Sequence, residues 1–332
     1  MIELRRPGAR LILEPGGALH FGSEERLDVL SMALVGDHVW QVDQSEFTRR
    51  LSRPQRTAYE ARARGADPLR ECHRFMCEHL AVIRQVGQPL VRASAAVQAA
   101  YRAYLGGADM GAPQLALWRT EGDAAAPVIS GGHLKAAFRV ARDAQDPAPG
   151  RGSPWLRFTN ATVAGNTPDM LAAIPARLRL DAPRPMPVMR ETDWSLVMLP
   201  ATDLRFHARM APADDERPAE QLEHAFSACN HHYAPLLRAT LDALRGEPAA
   251  DPDTPLQRFL VWARQTLDLV ENDARWAVIQ LGAGAGHAAH PTSGRAGMGS
   301  RIAVAHTGAA ATRGENVAQA LPMSWVRVRR DA

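Results

Sequence analysis

The chain has 332 residues, 46% of them hydrophobic and 23% charged, with a formal net charge of +3. That composition excludes a disordered chain, and the length allows a substantial buried core. A charge so close to zero excludes a globally basic nucleic-acid binder, so any such surface must be a local stripe.

Cys72, Cys77 and Cys229 are too few and too scattered for a disulfide framework. The opening MIELRRPGAR carries charge where a signal peptide has its apolar run, and no apolar stretch reaches spanning length. The expectation is a cytoplasmic protein without membrane segments.

ARLILEP (9–15) is a short strand broken by Pro15 and the Gly16-Gly17 turn. Two strand-like pieces flank GDH (36–38), and a helix begins near Asp43 or Ser45. Residues 53–105 read as helical, with Leu69, Cys72, His73, Met76, Leu80 and Ile83 at three- and four-residue spacings. QLALWRT (114–120) is a strand, and Leu134, Ala137, Phe138 and Ala141 follow with helical spacing. WLRFTNATV (155–163) is a strand, whereas 165–200, rich in Pro and Met, suggests an excursion from the core. DLRFHARM (203–210) alternates as a strand does. Helices are expected over about 218–244 and 254–272, then a buried strand at 275–282 and a Gly-rich tail. With the insertions set aside, the order is strand, helix, strand, strand, helix, strand. That order predicts an α+β fold of the ferredoxin-like, RRM type.

Three stretches can carry chemistry. In VISGGHLKAAFR two glycines lead into a helix whose first turns hold Lys135, the single lysine of the chain, with Arg139 and Arg142 beyond it. Free N–H groups at such a terminus, with glycines that admit a close backbone, suit phosphate. The plainer alternative is a glycine turn before a solvated surface helix. In QLGAGAGHAAHPTSG, Gly282, Gly284 and Gly286 alternate directly after a strand and His287 follows. No strand-helix-strand unit surrounds them, so this is not a dinucleotide fingerprint. The third group, Cys72, His73, Cys77 and His79 with Cys229, His231 and His232, lacks structural-zinc spacing and is read as core and surface. No metal site, cofactor site or catalytic set is assigned. His287 and His290 could act as acid and base, but no orienting partner is visible.

The order of the motifs resembles the RAMP proteins, the RNA-binding subunits of CRISPR effector complexes. LILEPGGALHFGSEE is similar to the family's opening strand and Gly-rich turn, which includes His20 and Gly22. GDHVWQVDQSEFTRRL, APVISGGHLKAAFRVAR, WLRFTNATV, VIQLGAGAGHAAHPTSG and TRGENVAQALPMSWVRV resemble the successive family segments up to the C-terminus. The set is most similar to the fifth Csm subunit of type III-A complexes. The chain departs from the family at Ser130–His133, where the family has Pro-Gly-Ser-Ser, and at Ala136, Asn160 and Ala283.

The resemblance implies one RAMP domain over 1–332, with core elements within 9–50, 114–163, 203–245 and 275–332. Residues 53–105 would be a helical insertion, 165–200 a thumb-like excursion, and 254–272 an additional helix. It implies a non-catalytic, guide-RNA (crRNA)-binding subunit that caps the 3′ end of a RAMP filament and supports guide maturation. Partners would be the guide, target RNA indirectly, a backbone RAMP subunit and a small helical subunit. The RNA-contacting residues implied are Gly131, Gly132, His133, Lys135, Arg139, Arg142, His20, Gly22, Gly282, Gly284, Gly286 and His287. Alternatives are a repeated backbone subunit of a type IV or variant type III complex, and a guide-processing endoribonuclease using His287 or His290. Asp169 and Asp193 lie where a cleaving loop of a backbone relative could sit.

Overall fold

A computed structural model describes residues 8–121, 126–145, 156–164, 168–179, 186–189, 192–212, 218–244, 254–282, 301–307 and 320–331. In chain order, β1 (Ala9–Pro15), β2 (Gly22–Leu27), β3 (Met32–Val35) and β4 (His38–Val42) precede α1 (Gln44–Arg50), α2 (Arg53–Arg62), α3 (Pro68–Glu78) and α4 (Leu80–Val86). Next come β5 (Gly87–Ala93), α5 (Ala95–Leu105), β6 (Gln114–Trp118), β7 (Thr120–Glu121) and β8 (Ala126–Ile129). After α6 (Gly131–Gln145) stand β9 (Leu156–Phe158), β10 (Ala161–Ala164), β11 (Met170–Arg179), β12 (Met186–Met189), β13 (Asp193–Met198) and β14 (Arg205–Pro212). The chain continues with α7 (Pro218–Leu244), α8 (Pro255–Asn272), β15 (Trp276–Gln280), β16 (Arg301–His306), β17 (Ala320–Pro322) and β18 (Trp325–Asp331).

The first sheet runs β15-β18-β1-β14-β10-β8-β7, and β9 also pairs with β14. It contains the expected β-α-β-β-α-β plan as β1, α6, β9–β10, β14, α7 and a closing strand, with β1 antiparallel to β14 and β14 to β10. The closing position beside β1 is filled by β18 from the C-terminus, and β15, which follows the helices, lies outside it. Asn230 of α7 shields the β15 edge. Its amide donates to the Trp276 carbonyl at 2.9 Å and accepts from the Val278 N–H at 3.2 Å, which leaves fewer backbone groups open to another strand. Helix α6 packs on α7, where the Tyr233 hydroxyl donates to the Ala137 carbonyl at 3.0 Å.

The second sheet, β2-β6-β13-β11-β5-β4-β3, draws strands from regions where sequence periodicity pointed elsewhere. Within 165–200, expected to leave the core, β11 and β13 supply its centre instead. β11 pairs antiparallel with β13 and parallel with β5, and Leu171, Ala172, Ala173 and Ile174 are all buried. A strand covered on both faces reads as a continuous apolar run without alternation, which hid it. Likewise β5 interrupts 53–105, which reads as helical throughout, and pairs with β4.

The segment from Gly16 to Phe21 crosses between the sheets. Leu19 bridges to Met198 of the second sheet, and Ala18 to Met323 just before β18. One continuous core holds both sheets with α5, α6, α7 and α8, while α1 to α4 and the β3–β4 hairpin close a smaller cluster around Phe47, Tyr59, Phe75 and Met76. Two helix starts there are capped by aspartates: Asp43, as expected, accepts from the Glu46 N–H, and Asp67 from the Arg70 N–H. Among the described residues no helix is long and apolar enough to cross a membrane.

Candidate nucleic-acid interface

Stretches far apart in sequence meet at Phe21, the last residue of the inter-sheet crossing. Its ring lies edge-on to Trp118 at 5.3 Å and tilted against His133 at 5.0 Å. The Arg119 N–H donates to the Phe21 carbonyl at 2.8 Å, which fixes the end of β6 beside it. Gly282, at the start of the tail loop, comes in from the other side with φ +83, where a Cβ would stand 2.5 Å from the His20 carbonyl oxygen. Phe21 is 2% exposed, and burying a side chain of that size stabilises by about 2 kcal/mol. The aromatic core of the junction is therefore also its mechanical anchor.

Helix α6 starts at this junction because two side chains satisfy its first donors. Ser130 Oγ accepts from the His133 N–H at 3.3 Å and lies 2.8 Å from His133 Nδ1. Asn160 Oδ1 accepts from the Gly131 N–H at 2.9 Å. Asn160 can reach because one extra residue sits between β9 and β10: Phe158 opposes Met210, but Thr162 opposes His207. Such a bulge re-aims a side chain, here toward the helix. Asn160 thus stands where the family resemblance has an aspartate and does the work of a helix cap.

The glycines divide into two kinds. Gly131 is buried, and a Cβ there would stand 2.5 Å from the Phe158 carbonyl oxygen. Its missing side chain serves internal packing, so the expectation that it leaves room for a nucleic-acid backbone is corrected. Gly282 is also required by its own fold, through the His20 carbonyl. Gly132 is exposed and a side chain would meet only Ser130 Oγ at 3.6 Å, so it keeps an open backbone at the helix start. Gly22 opens β2, where a Cβ would approach His20 Nε2 to 3.2 Å.

Two histidines of the junction are electrically neutral at pH 7. His20 donates from Nδ1 to the Leu196 carbonyl at 2.8 Å, and burial, assisted by nearby Arg26, lowers its pKa. Burial also lowers that of His133, with Arg119 adding to the effect. The positive charge at this place therefore belongs to Arg26, Arg119, Lys135 and Arg139, all exposed. Lys135 and Arg139, one helical turn apart, have no acidic partner among the described residues. Arg142 is different: its guanidinium donates to Asp143 at 3.0 Å, so its charge is already offset.

The sequence expectation of free N–H groups is corrected, because those of Gly131, His133 and Leu134 are taken up by Asn160 and Ser130. What suits an anion here is the bare Gly132 beside exposed cations. Arg26, Phe21, Trp118 and Arg119 escaped the sequence reading because nothing but their meeting in space marks them. Gly284, Gly286, His287 and His290 lie outside the described residues. The Cys72–His79 group is internal: Cys72 and His73 are buried, and His79 stacks on Phe75 at 4.1 Å. Among the described residues no three His, Cys, Asp or Glu side chains are grouped to hold a metal.

Neither a protein-family model nor a curated protein matches the sequence. Solved structures do match the fold. One is the crystal structure of T. onnurineus Csm5, 11% identical, with a TM-score of 0.48 over 83% of this chain and 90% of that one. Another is a chain in the cryo-EM structure of a Csm–crRNA–target RNA ternary complex of a type III-A CRISPR-Cas system. It is 12% identical, with a TM-score of 0.51 over 97% of this chain and 100% of that chain. From its first described strand to its last, the chain thus has the α+β fold of that Csm-complex chain.

Proposed function

We propose that this protein is a guide-RNA-binding structural subunit of a type III CRISPR effector complex, placed at the 3′ end of the guide. One observation carries the reading. In a fold shared end to end with a chain of a Csm–crRNA–target RNA complex, the motif stretches around residues 18–22, 130–139 and 280–282 converge on Phe21 beside unpaired cations. The guide backbone passes over the start of α6, where Gly132 leaves space and Lys135 and Arg139 meet phosphates. Contacts of this kind hold a strand by its backbone and leave its bases unread. No catalytic role is assigned, because among the described residues His133 has no carboxylate to orient it and His20 Nδ1 is committed to a carbonyl.

The partners expected are the guide, a backbone subunit and a small helical subunit, with target RNA reached through the guide. Purification of the tagged chain from cells that express the whole effector tests this. One copy of the chain per guide is expected. Several copies per guide would replace the cap by a repeated backbone subunit, and absence of guide RNA from the purified material would overturn the reading.

A further inference from the structure

Strand alternation sorts the first sheet into two faces. Phe158 and Arg330 point toward α6 and α7: Phe158, the residue before the bulge, packs on Phe138, and Arg330 lies over Phe226 at 5.8 Å. The opposite face is a grid set by the register. Across one row Arg10 stands between Arg209 and Asp331, and in the next Ile12 stands between His207 and Arg329. In the third, Glu14 faces Arg327 and accepts from Arg205 at 3.1 Å. Arg157, opposite Ala211, extends this face along β14.

Among the described residues six arginines thus face Glu14 and Asp331, an excess of four positive charges on one surface of a chain whose net charge is only +3. They are not equivalent. Arg327 and Arg205 clamp Glu14, and Arg327 and Arg329 lie over Trp276 at 5.4 and 5.6 Å. Arg10, Arg157 and Arg209 are exposed and have no carboxylate partner among the described residues. Arg10 instead donates to His207 Nδ1 at 2.6 Å and sits directly opposite Arg209. Like charges placed opposite each other across a ladder destabilise a sheet. Their presence here calls for a polyanion.

The α6 terminus is physically joined to this face. The bulge residue Thr159 donates from its N–H to the Arg209 carbonyl at 3.0 Å and accepts from the Arg209 N–H on Oγ1 at 2.9 Å. The next residue, Asn160, holds the Gly131 N–H. We propose that the arginine face of the first sheet is a second RNA-binding surface, onto which a single strand leaving the α6 terminus continues, held by phosphate contacts to Arg10, Arg157 and Arg209. Trp276 is covered by two arginines and the His207 ring is held by Arg10, so neither ring is left as an open stacking platform and the binding is independent of sequence. The strand's identity as the guide rests on the function proposed above; the surface itself needs only a single-stranded RNA.

The test uses the full chain and a fluorescent single-stranded oligouridine of about 20 nucleotides, the span of a groove of one or two folds. Arg10→Ala/Arg157→Ala/Arg209→Ala is expected to bind at least tenfold more weakly, with an unchanged thermal melt. Its log–log salt slope should be shallower by about 2, the release from three phosphate contacts. The triple Arg→Lys variant, which retains the charge, should recover most of the affinity. Unchanged affinity and slope in the alanine variant would overturn the proposal. So would normal RNA binding combined with loss of partner subunits from the complex, since the face would then be a protein surface. Lys135→Ala/Arg139→Ala on the same probe separates the two sites. Loss confined to that variant overturns the sheet surface, whereas loss confined to the arginine triple supports it and removes the α6 site.

Discussion

The Phe21 junction and the His73–Tyr101–Cys77 cluster are both built from a histidine against aromatic rings, yet their surroundings give them opposite uses. His73 is fully buried between α3 and α5, with Nε2 2.7 Å from the Tyr101 hydroxyl. That hydroxyl also accepts from the Leu34 N–H at 3.1 Å and touches Cys77 Sγ at 3.1 Å. Burial lowers the His73 pKa to about 4, so the group is a neutral strut. At the junction the rings are anchored in the core, but the helix start, Gly132 and four cations stand in solvent. Residue type alone therefore does not mark a site; the charge and exposure around it do.

The sharpest way to break the junction is to fill its close approaches. Gly282→Ala puts a side chain at φ +83 and against the His20 carbonyl, and Gly131→Ala drives one into the Phe158 carbonyl. Each is expected to cost about 3 kcal/mol from strain and overpacking, read as a lower urea midpoint. A cost under about 0.5 kcal/mol, the range of an indifferent surface change, would contradict the packing described.

The His73 cluster should reveal itself by pH. The folded pKa of about 4 lies below the ordinary 6.5, so only the unfolded chain takes up this proton as pH falls below 6.5. Stability is then fully present above pH 7 and declines by roughly 3 kcal/mol toward pH 4. His20 and His133 are shifted in the same direction and add to the decline. Urea unfolding at pH 7.5 and 4.5 measures it, and His73→Gln should flatten the slope in that window. An equally steep slope in the variant would remove His73 as its source.

A smaller effect isolates the cap of α6. Asn160→Ala should cost about 1 kcal/mol, as loss of a helix cap does, while Asn160→Asp keeps an acceptor for the Gly131 N–H. If both variants melt alike, the bulge does not serve the helix start.

Local devices were legible in the sequence and long-range pairings were not. The Pro-started helices, the strand at 9–15 and the glycine turn before α6 carry their own residues: Thr254 with Pro255, Pro15 with Gly16, Ser130 with Gly131. β11 showed no alternation because both of its faces are covered, and β18 took the place beside β1 through partners more than 300 residues away in the chain. The arginine face had a faint signal in the alternating charges of RFHAR and VRVRR. Its meaning needed the register that sets those strands side by side. Lys135 was visible as the single lysine, but its lack of a partner and its distance from the fully buried junction core belong to the fold.

The central claim is that exposed cations at the start of α6 hold the guide. Lys135→Ala/Arg139→Ala, co-expressed with the effector subunits, tests it most directly by the guide RNA recovered per chain. The account predicts a folded subunit with parental melting behaviour and at least a tenfold loss of guide, and Lys135→Arg separates charge from shape at that position. Guide recovered at the parental level from the double variant would contradict it.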